Sequence, residues 1–320
     1  MGDIPIMAST LISIIVPVYN EQGNIVPLYE RIRNVFESSP ENFELIYIDD
    51  GSQDESFLNL RDLAERDKRV RVIGFTRNFG HQQAVSAGLQ CCQGECAVII
   101  DADLQDPPEL IPEFIQKWRE RYQVVYATRT RRIGDNILKS LTAAIFYRMM
   151  RLLTNVDIPL DAGDFRLIDR LVIDMLNAMP ERHRFLRGMV SWGGFRQIGI
   201  SYERQKRHSG KTKYPMFKMF KFALTGVTSF SFIPLQFASY FGFFISGIAF
   251  LAGLYAIYLK LFTSATIQGW TSLMIAVLFI GGVQLITLGI IGEYIGRISE
   301  EVKQRPPFVV REKINISAKD

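Results

Sequence analysis

Asp101 and Asp103 follow the apolar run Cys96–Ile100, and their type and spacing suit one kind of chemistry. Side chains two apart on a strand share a face, so two carboxylates at the end of a buried strand can converge on one point. Carboxylate oxygens are hard ligands. Magnesium or manganese held by one or two of them completes its shell with water and substrate phosphates. The pair therefore points to a divalent cation and a phosphorylated substrate. The plainer reading is that Asp101 ends a strand and Asp103 opens the turn before Pro107-Pro108. The elements that would carry the pair, and the polar residues that accompany it, bear on the choice.

Leu11–Val18 is a β-rich run, after which Ile25, Leu28, Tyr29, Ile32, Val35 and Phe36 recur at helical spacing. The alternation repeats at Phe43–Ile48, with a helix opening near Asp54, and at Val70–Phe75, with a helix through Ala84 to Leu89. It repeats again at Ala97–Ile100, with a helix begun by Pro107-Pro108, and a further strand-like run is Val124–Ala127. This order predicts parallel β-α-β units in a doubly wound, mostly parallel α/β sheet. Such sheets bind ligands beyond the carboxyl ends of their strands. Those ends carry Tyr19-Asn-Glu21, Asp49-Asp-Gly-Ser52, Arg77-Asn-Phe-Gly80 and the aspartate pair. No Gly-x-Gly-x-x-Gly follows the first strand and no full Walker motif appears, which disfavours dinucleotide-dependent oxidoreductases and P-loop NTPases.

The chain has 320 residues, a net charge of +4 and 48% hydrophobic residues, and its polarity is unevenly distributed. Residues 1 to about 220 alternate apolar and charged segments as a soluble domain does, whereas Leu235–Leu259 and Thr271–Ile295 are apolar stretches. Each exceeds the roughly 20 residues needed to cross a bilayer. Glu293 is the one acid in them, near enough to an end to reach the interface. Lys and Arg cluster from Arg204 to Lys221 and from Arg297 to Lys313, while the connecting loop offers only Lys260, so both termini are expected on the cytoplasmic side. Pro215–Thr228 reads as an amphipathic helix lying in the membrane interface. The resulting domain plan is a catalytic domain at 11–214, an interfacial helix at 215–228, a two-helix membrane domain at 229–297 and a cytoplasmic tail at 298–320. Residues 1–10 lack a basic start and a long apolar run; no signal peptide is expected, and they read as disordered or left over from expression. Cys91, Cys92 and Cys96 lack paired zinc spacing and read as buried thiols; His81, His183 and His208 show no metal spacing and read as ordinary polar or capping residues.

Taken together, Val16-Pro-Val-Tyr-Asn-Glu21, Ile48-Asp-Asp-Gly-Ser52, Arg77-Asn-Phe-Gly80, Asp101-Ala-Asp-Leu-Gln-Asp-Pro-Pro108 and Asp161-Ala-Gly-Asp-Phe-Arg166 resemble the polyisoprenyl-phosphate glycosyltransferases. These are inverting family 2 enzymes of GT-A fold, and the bacterial bactoprenol glucosyltransferases are the nearest match. Arg207-His-Ser-Gly-Lys-Thr-Lys-Tyr214 and the two apolar stretches extend the resemblance over nearly the whole chain. It implies a metal and diphosphate site at Asp101, Asp103 and Gln105, with Mg2+ or Mn2+ as the ion, and nucleotide-sugar contacts at Pro17, Tyr19, Glu21, Asp50 and Asp101. Asp164 matches the acid beside the reacting sugar, and Arg129, Arg131, Lys139, Ser140 and Arg207 match residues that hold the acceptor phosphate. Gly210-Lys-Thr-Lys213 departs from the commoner Gly-Glu-Ser-Lys, which leaves open which lysine faces the phosphate.

The implied reaction moves one sugar from a nucleotide diphosphate, UDP-glucose first among donors, to a polyisoprenyl phosphate, undecaprenyl phosphate in a bacterial inner membrane. A phosphate acceptor has a second pKa of about 6 and hardly needs deprotonating at neutral pH, so Asp164 has a positioning role open to it besides that of a base. The partners expected are a nucleotide sugar, the lipid phosphate and the membrane, with no nucleic acid. Gly242, Gly247 and Gly253 leave room for close helix packing and hence for self-association. A processive polysaccharide synthase is the competing enzyme, disfavoured by having only two apolar stretches and no Gln-x-x-Arg-Trp. A non-catalytic sensor, flippase or scaffold is the competing class and would not require the acids.

Overall fold

A computed structural model describes residues 10–129, 162–182, 184–202, 233–262 and 269–316. It divides into two units, one built on a β-sheet, to which the chain returns from Pro306 onward, and one formed by the two long apolar helices.

The sheet unit has eight strands: β1 (Leu11–Val18), β2 (Asn42–Asp49), β3 (Val70–Phe75), β4 (Cys96–Ile99), β5 (Val124–Arg129), β6 (Ala162–Asp169), β7 (Gln197–Tyr202) and β8 (Val310–Ile314). Their spatial order is β7-β5-β6-β4-β1-β2-β3-β8. β4, β1, β2 and β3 run parallel, as the alternation of strand and helix predicts. β1 is buried from Ile12 to Val18, the pattern of a strand covered on both faces. The cover comes from α1 (Ile25–Glu37), α2 (Ser56–Arg66), α3 (His81–Cys91), α4 (Ile111–Arg119), α5 (Arg170–Ala178) and α6 (Leu186–Trp192). α1 buries Ile25, Leu28, Tyr29, Ile32 and Phe36, one stripe at helical spacing. α3 lies close on the sheet because residue 88 is glycine: a Cβ there would sit 2.5 Å from Ile15 Cγ2.

Two features depart from a simple parallel sheet. β6 runs antiparallel between β4 and β5, and β8 is antiparallel to β3. The segment read as a cytoplasmic tail thus contains an edge strand of the sheet. It is held there by Phe308 stacked on Phe75 at 4.9 Å, by an Arg61–Glu312 ion pair at 2.8 Å, and by Asn315 Nδ2, which donates to the Ala64 and Val70 carbonyls at 2.7 and 2.8 Å.

In the second unit, α7 (Ile233–Phe262) and α8 (Trp270–Val302) have 30 and 33 residues. Both are long and apolar enough to cross a membrane, with mean hydropathies of 1.5 and 2.3 over Ala238–Tyr255 and Ile275–Val302. Phe243, Phe250, Leu254 and Leu285 are exposed. Apolar helices that hide so little of their surface suit a lipid surround rather than the interior of a soluble domain. Glu293 pairs with Arg297 one turn on, at 3.2 Å.

Candidate active site

The carboxyl ends of β1–β4 open on one edge of the sheet, and the loops that follow them are tied to one another. After β1, the Asn20 amide donates to Ser52 Oγ and the Glu21 amide to Ser56 Oγ, each at 3.0 Å. In return, the Gln53 amide donates to Asn20 Oδ1 at 2.8 Å and the Glu55 amide to Gln22 Oε1 at 3.0 Å. Side chains here satisfy main-chain groups that have no strand neighbour, which fixes the two loops as one surface.

Asp50 extends this lacing to the loop after β3. It is buried, and its two carboxylate oxygens accept from the Phe79 amide at 2.6 Å and the Gly80 amide at 3.0 Å. Burial raises its pKa from the ordinary carboxylate value, and the two amides work against that rise. Gly51 makes the turn possible, at φ +68°, with no room for a Cβ against the main chain of Arg77 and Asn78.

The acid pair itself lies beyond the strand. β4 ends at Ile99, and Asp101 and Asp103 sit in the following turn, where Leu104 takes φ +59°. The two-residue alternation of a strand therefore does not orient them; the turn does. Asp103 is buried and its Oδ1 accepts from the Gln105 amide at 3.1 Å. Asp106, also buried, accepts from the Tyr202 hydroxyl at the end of β7. Asp101 Oδ1 lies 2.9 Å from His81 Nε2, at the start of α3. Burial would lower the pKa of His81, but the charge and hydrogen bond of Asp101 and the charge of Asp164 outweigh it and carry it to about 9.

Asp164 comes from the reversed strand. β6 pairs with β4 as far as Arg166 opposite Ile99, and Asp164 lies two residues further toward the edge that carries Asp101. Along β6, Phe165 packs on Phe114 of α4 at 4.7 Å, so Asp164 and Arg166 occupy the opposite face. There they line a cavity with His81, Gln82, Leu186 and Val190. Arg187 Nε donates to Asp164 Oδ1 at 2.8 Å. Burial would raise the pKa of Asp164, but the charge and hydrogen bond of Arg187, with the charges of His81 and Arg166, hold this carboxyl far below the usual range.

The fold thus brings Pro17, Tyr19, Glu21, Asp50, Asp101, Asp103, Gln105 and Asp164 to the same edge of the sheet. Arg129 is the last residue of β5, whose carboxyl end opens on that edge too, beside Tyr202 of β7. Arg131, Lys139, Ser140, Arg207 and the 215–228 helix lie outside the described residues. Sequence reasoning missed His81 and Arg187: it takes His81 as an ordinary polar or capping residue and gives Arg187 no role. Among the described residues no three His, Cys, Asp or Glu side chains gather as a preformed metal cage. Two carboxylates in one turn, with an amide side chain beside them, nonetheless fit a magnesium or manganese ion that takes its other ligands from substrate phosphates and water.

Residues 13–176 match the model of the family described as glycosyl transferase family 2. An uncharacterized glycosyltransferase of Bacillus subtilis (strain 168) is 50% identical over 96% of this chain and 95% of its own length. An uncharacterized glycosyltransferase of Synechocystis sp. is 42% identical over 93% of this chain and 94% of its own. A prophage-derived bactoprenol glucosyl transferase of Shigella flexneri is 40% identical over 94% of this chain and 97% of its own. The chain is therefore a glycosyltransferase that belongs to family 2, in the group that includes the bactoprenol glucosyl transferases.

Proposed function

We propose that this enzyme transfers one glucose from UDP-glucose to undecaprenyl phosphate, with inversion, at the cytoplasmic face of a bacterial inner membrane. The observation that supports the reading is His81, which lies 2.9 Å from Asp101 and lines one cavity with Asp164, on the edge where the loops after β1–β3 also end. The relative named for bactoprenol and the two helices long enough to span a bilayer support a lipid acceptor.

In this reading Pro17, Tyr19, Glu21 and Asp50 shape the nucleotide pocket, and Asp101, Asp103 and Gln105 hold Mg2+ or Mn2+ against the diphosphate. The ion supplies charge neutralisation as the leaving group forms. Arg129, Arg131, Lys139, Ser140 and Arg207 bind the acceptor phosphate with charge-assisted hydrogen bonds. A phosphate oxygen attacks the anomeric carbon from the face opposite the diphosphate. The bond to the diphosphate oxygen breaks, and its electron pair leaves with UDP. The α7–α8 hairpin anchors the enzyme where its insoluble acceptor resides, and its glycines leave room for self-association.

Membranes bearing the protein, incubated with labelled UDP-glucose and undecaprenyl phosphate, test the proposal. One glucose per lipid, made only with a divalent cation, is the expected product. Polymer would assign a synthase, absence of transfer from any nucleotide sugar a binding protein, and transfer from another donor alone would overturn glucose.

A further inference from the structure

Arg187 has no role assigned from the sequence, and the fold places it with care. It lies on α6, and the turn before that helix is tied down by α3. Gln83 Nε2 donates to the Arg182 carbonyl at 2.9 Å, and Gln82 Oε1 accepts from the Leu186 amide at 3.0 Å. Arg184 is buried and donates to the Leu176 carbonyl of α5. His81, the residue before these two glutamines, holds Asp101. One helix start therefore braces the acids of two neighbouring strands: Asp101 directly, and Asp164 through the turn that presents Arg187.

The Arg187–Asp164 pair is about three-quarters buried on each side, at 22% and 24% side-chain exposure, so water screens it less than a surface pair. We propose that Arg187 is a positioning residue for sugar transfer, fixing the Asp164 carboxylate as a permanent anion that orients a substrate hydroxyl instead of removing a proton. This rests on the reading that Asp164 acts at the reacting sugar. The basic groups facing Asp164 are Arg187 from α6, His81 from α3 and Arg166 from its own strand, and the two arginines are permanent cations. A carboxylate so strongly held is a poor base, and a dianionic phosphate acceptor does not need one.

The test uses the full-length enzyme in detergent or vesicles with UDP-glucose, Mg2+ and undecaprenyl phosphate, comparing Arg187→Gln, Arg187→Lys, Asp164→Asn and the Asp164→Asn/Arg187→Gln double variant. Arg187→Gln is expected to lower kcat about 100-fold while changing the donor KM by less than about threefold. Its pH–kcat profile should show an acid limb at higher pH than that of the wild type, because removing the largest counter-charge lets burial raise the pKa of Asp164. Arg187→Lys should keep the wild-type profile and recover part of kcat. In the Asp164→Asn background, Arg187→Gln should add less than about threefold. A wild-type kcat and profile for Arg187→Gln, or a loss confined to the donor KM, overturns the proposal; circular dichroism and gel filtration confirm that each variant is folded. Full activity of Asp164→Asn would instead overturn the underlying role of Asp164, a result independent of how Arg187→Gln behaves.

Discussion

Gly51→Ala isolates the contact on which the donor edge depends. Gly51 has φ +68°, a conformation that costs an alanine about 1–2 kcal/mol. A Cβ there would also overlap the carbonyl carbon of Arg77 and lie 2.7 Å from Arg77 Cα and Asn78 N. These are main-chain atoms and cannot swing aside as a side chain would; relieving such an overlap costs about 1–3 kcal/mol. The movement would pull Phe79 and Gly80 away from Asp50, whose buried carboxylate depends on their two amides. The expected loss of stability is about 2–5 kcal/mol, with donor binding weakened at least tenfold. Gly194 is the control: it has the same φ of +68°, and nothing lies within 4 Å of its Cβ position, so Gly194→Ala should lose only about 1–2 kcal/mol and bind donor normally. Denaturant unfolding in detergent and titration calorimetry with UDP-glucose measure both quantities. Equal stability losses for the two variants, with donor binding intact in both, would refute the argument that the 50–51 turn and the 77–80 loop are locked together.

Asp103→Asn should abolish cation-dependent transfer, at least about 100-fold in kcat/KM, with a midpoint of unfolding within a few degrees of wild type; activity that survives a strong chelator would contradict it. His81 stabilises the fold through its raised pKa, so without added metal its contribution should be complete below about pH 6.5 and lost as pH rises through about 9. Unfolding across that range should show about 1–3 kcal/mol more loss for wild type than for His81→Gln, after discounting for the part of the ring that water screens. Ending the chain at Arg305 removes β8 and leaves β3 as a bare edge, so the truncated protein should aggregate on thermal scans. Replacing 233–302 by a flexible linker while keeping 303–320 should preserve the sheet unit, as read by its unfolding midpoint.

The composition of single segments was enough to read β1–β5, because a strand covered on both faces must be continuously apolar and is marked off by polar turns at its end. The same reading placed Asp101, Asp103, Asp50 and Glu21 on one edge, since parallel strands carry their carboxyl ends together. It also found the two long apolar helices, whose length and lack of charge are local properties. What it missed depends on contacts between distant segments. The i, i+2 argument for the acid pair assumes a strand that runs through it, whereas β4 ends at Ile99, the Ile100 amide still donates to the Ile15 carbonyl, and the geometry of the following turn, with Leu104 at φ +59°, then takes over. Five alternating residues at Val310–Ile314 do not announce which edge they will join; the exposed side of β3, 235 residues earlier at its nearest pairing, supplies the hydrogen bonds and the Phe75 ring that hold them. Nor do a histidine at the start of one helix and an arginine on another reveal, from sequence, that each faces a carboxylate. Only the reversal of β6 against β4, together with α3 seated over glycine 88, brings His81 and Arg187 to Asp101 and Asp164, and the low polarity of that packed interior makes their charges matter.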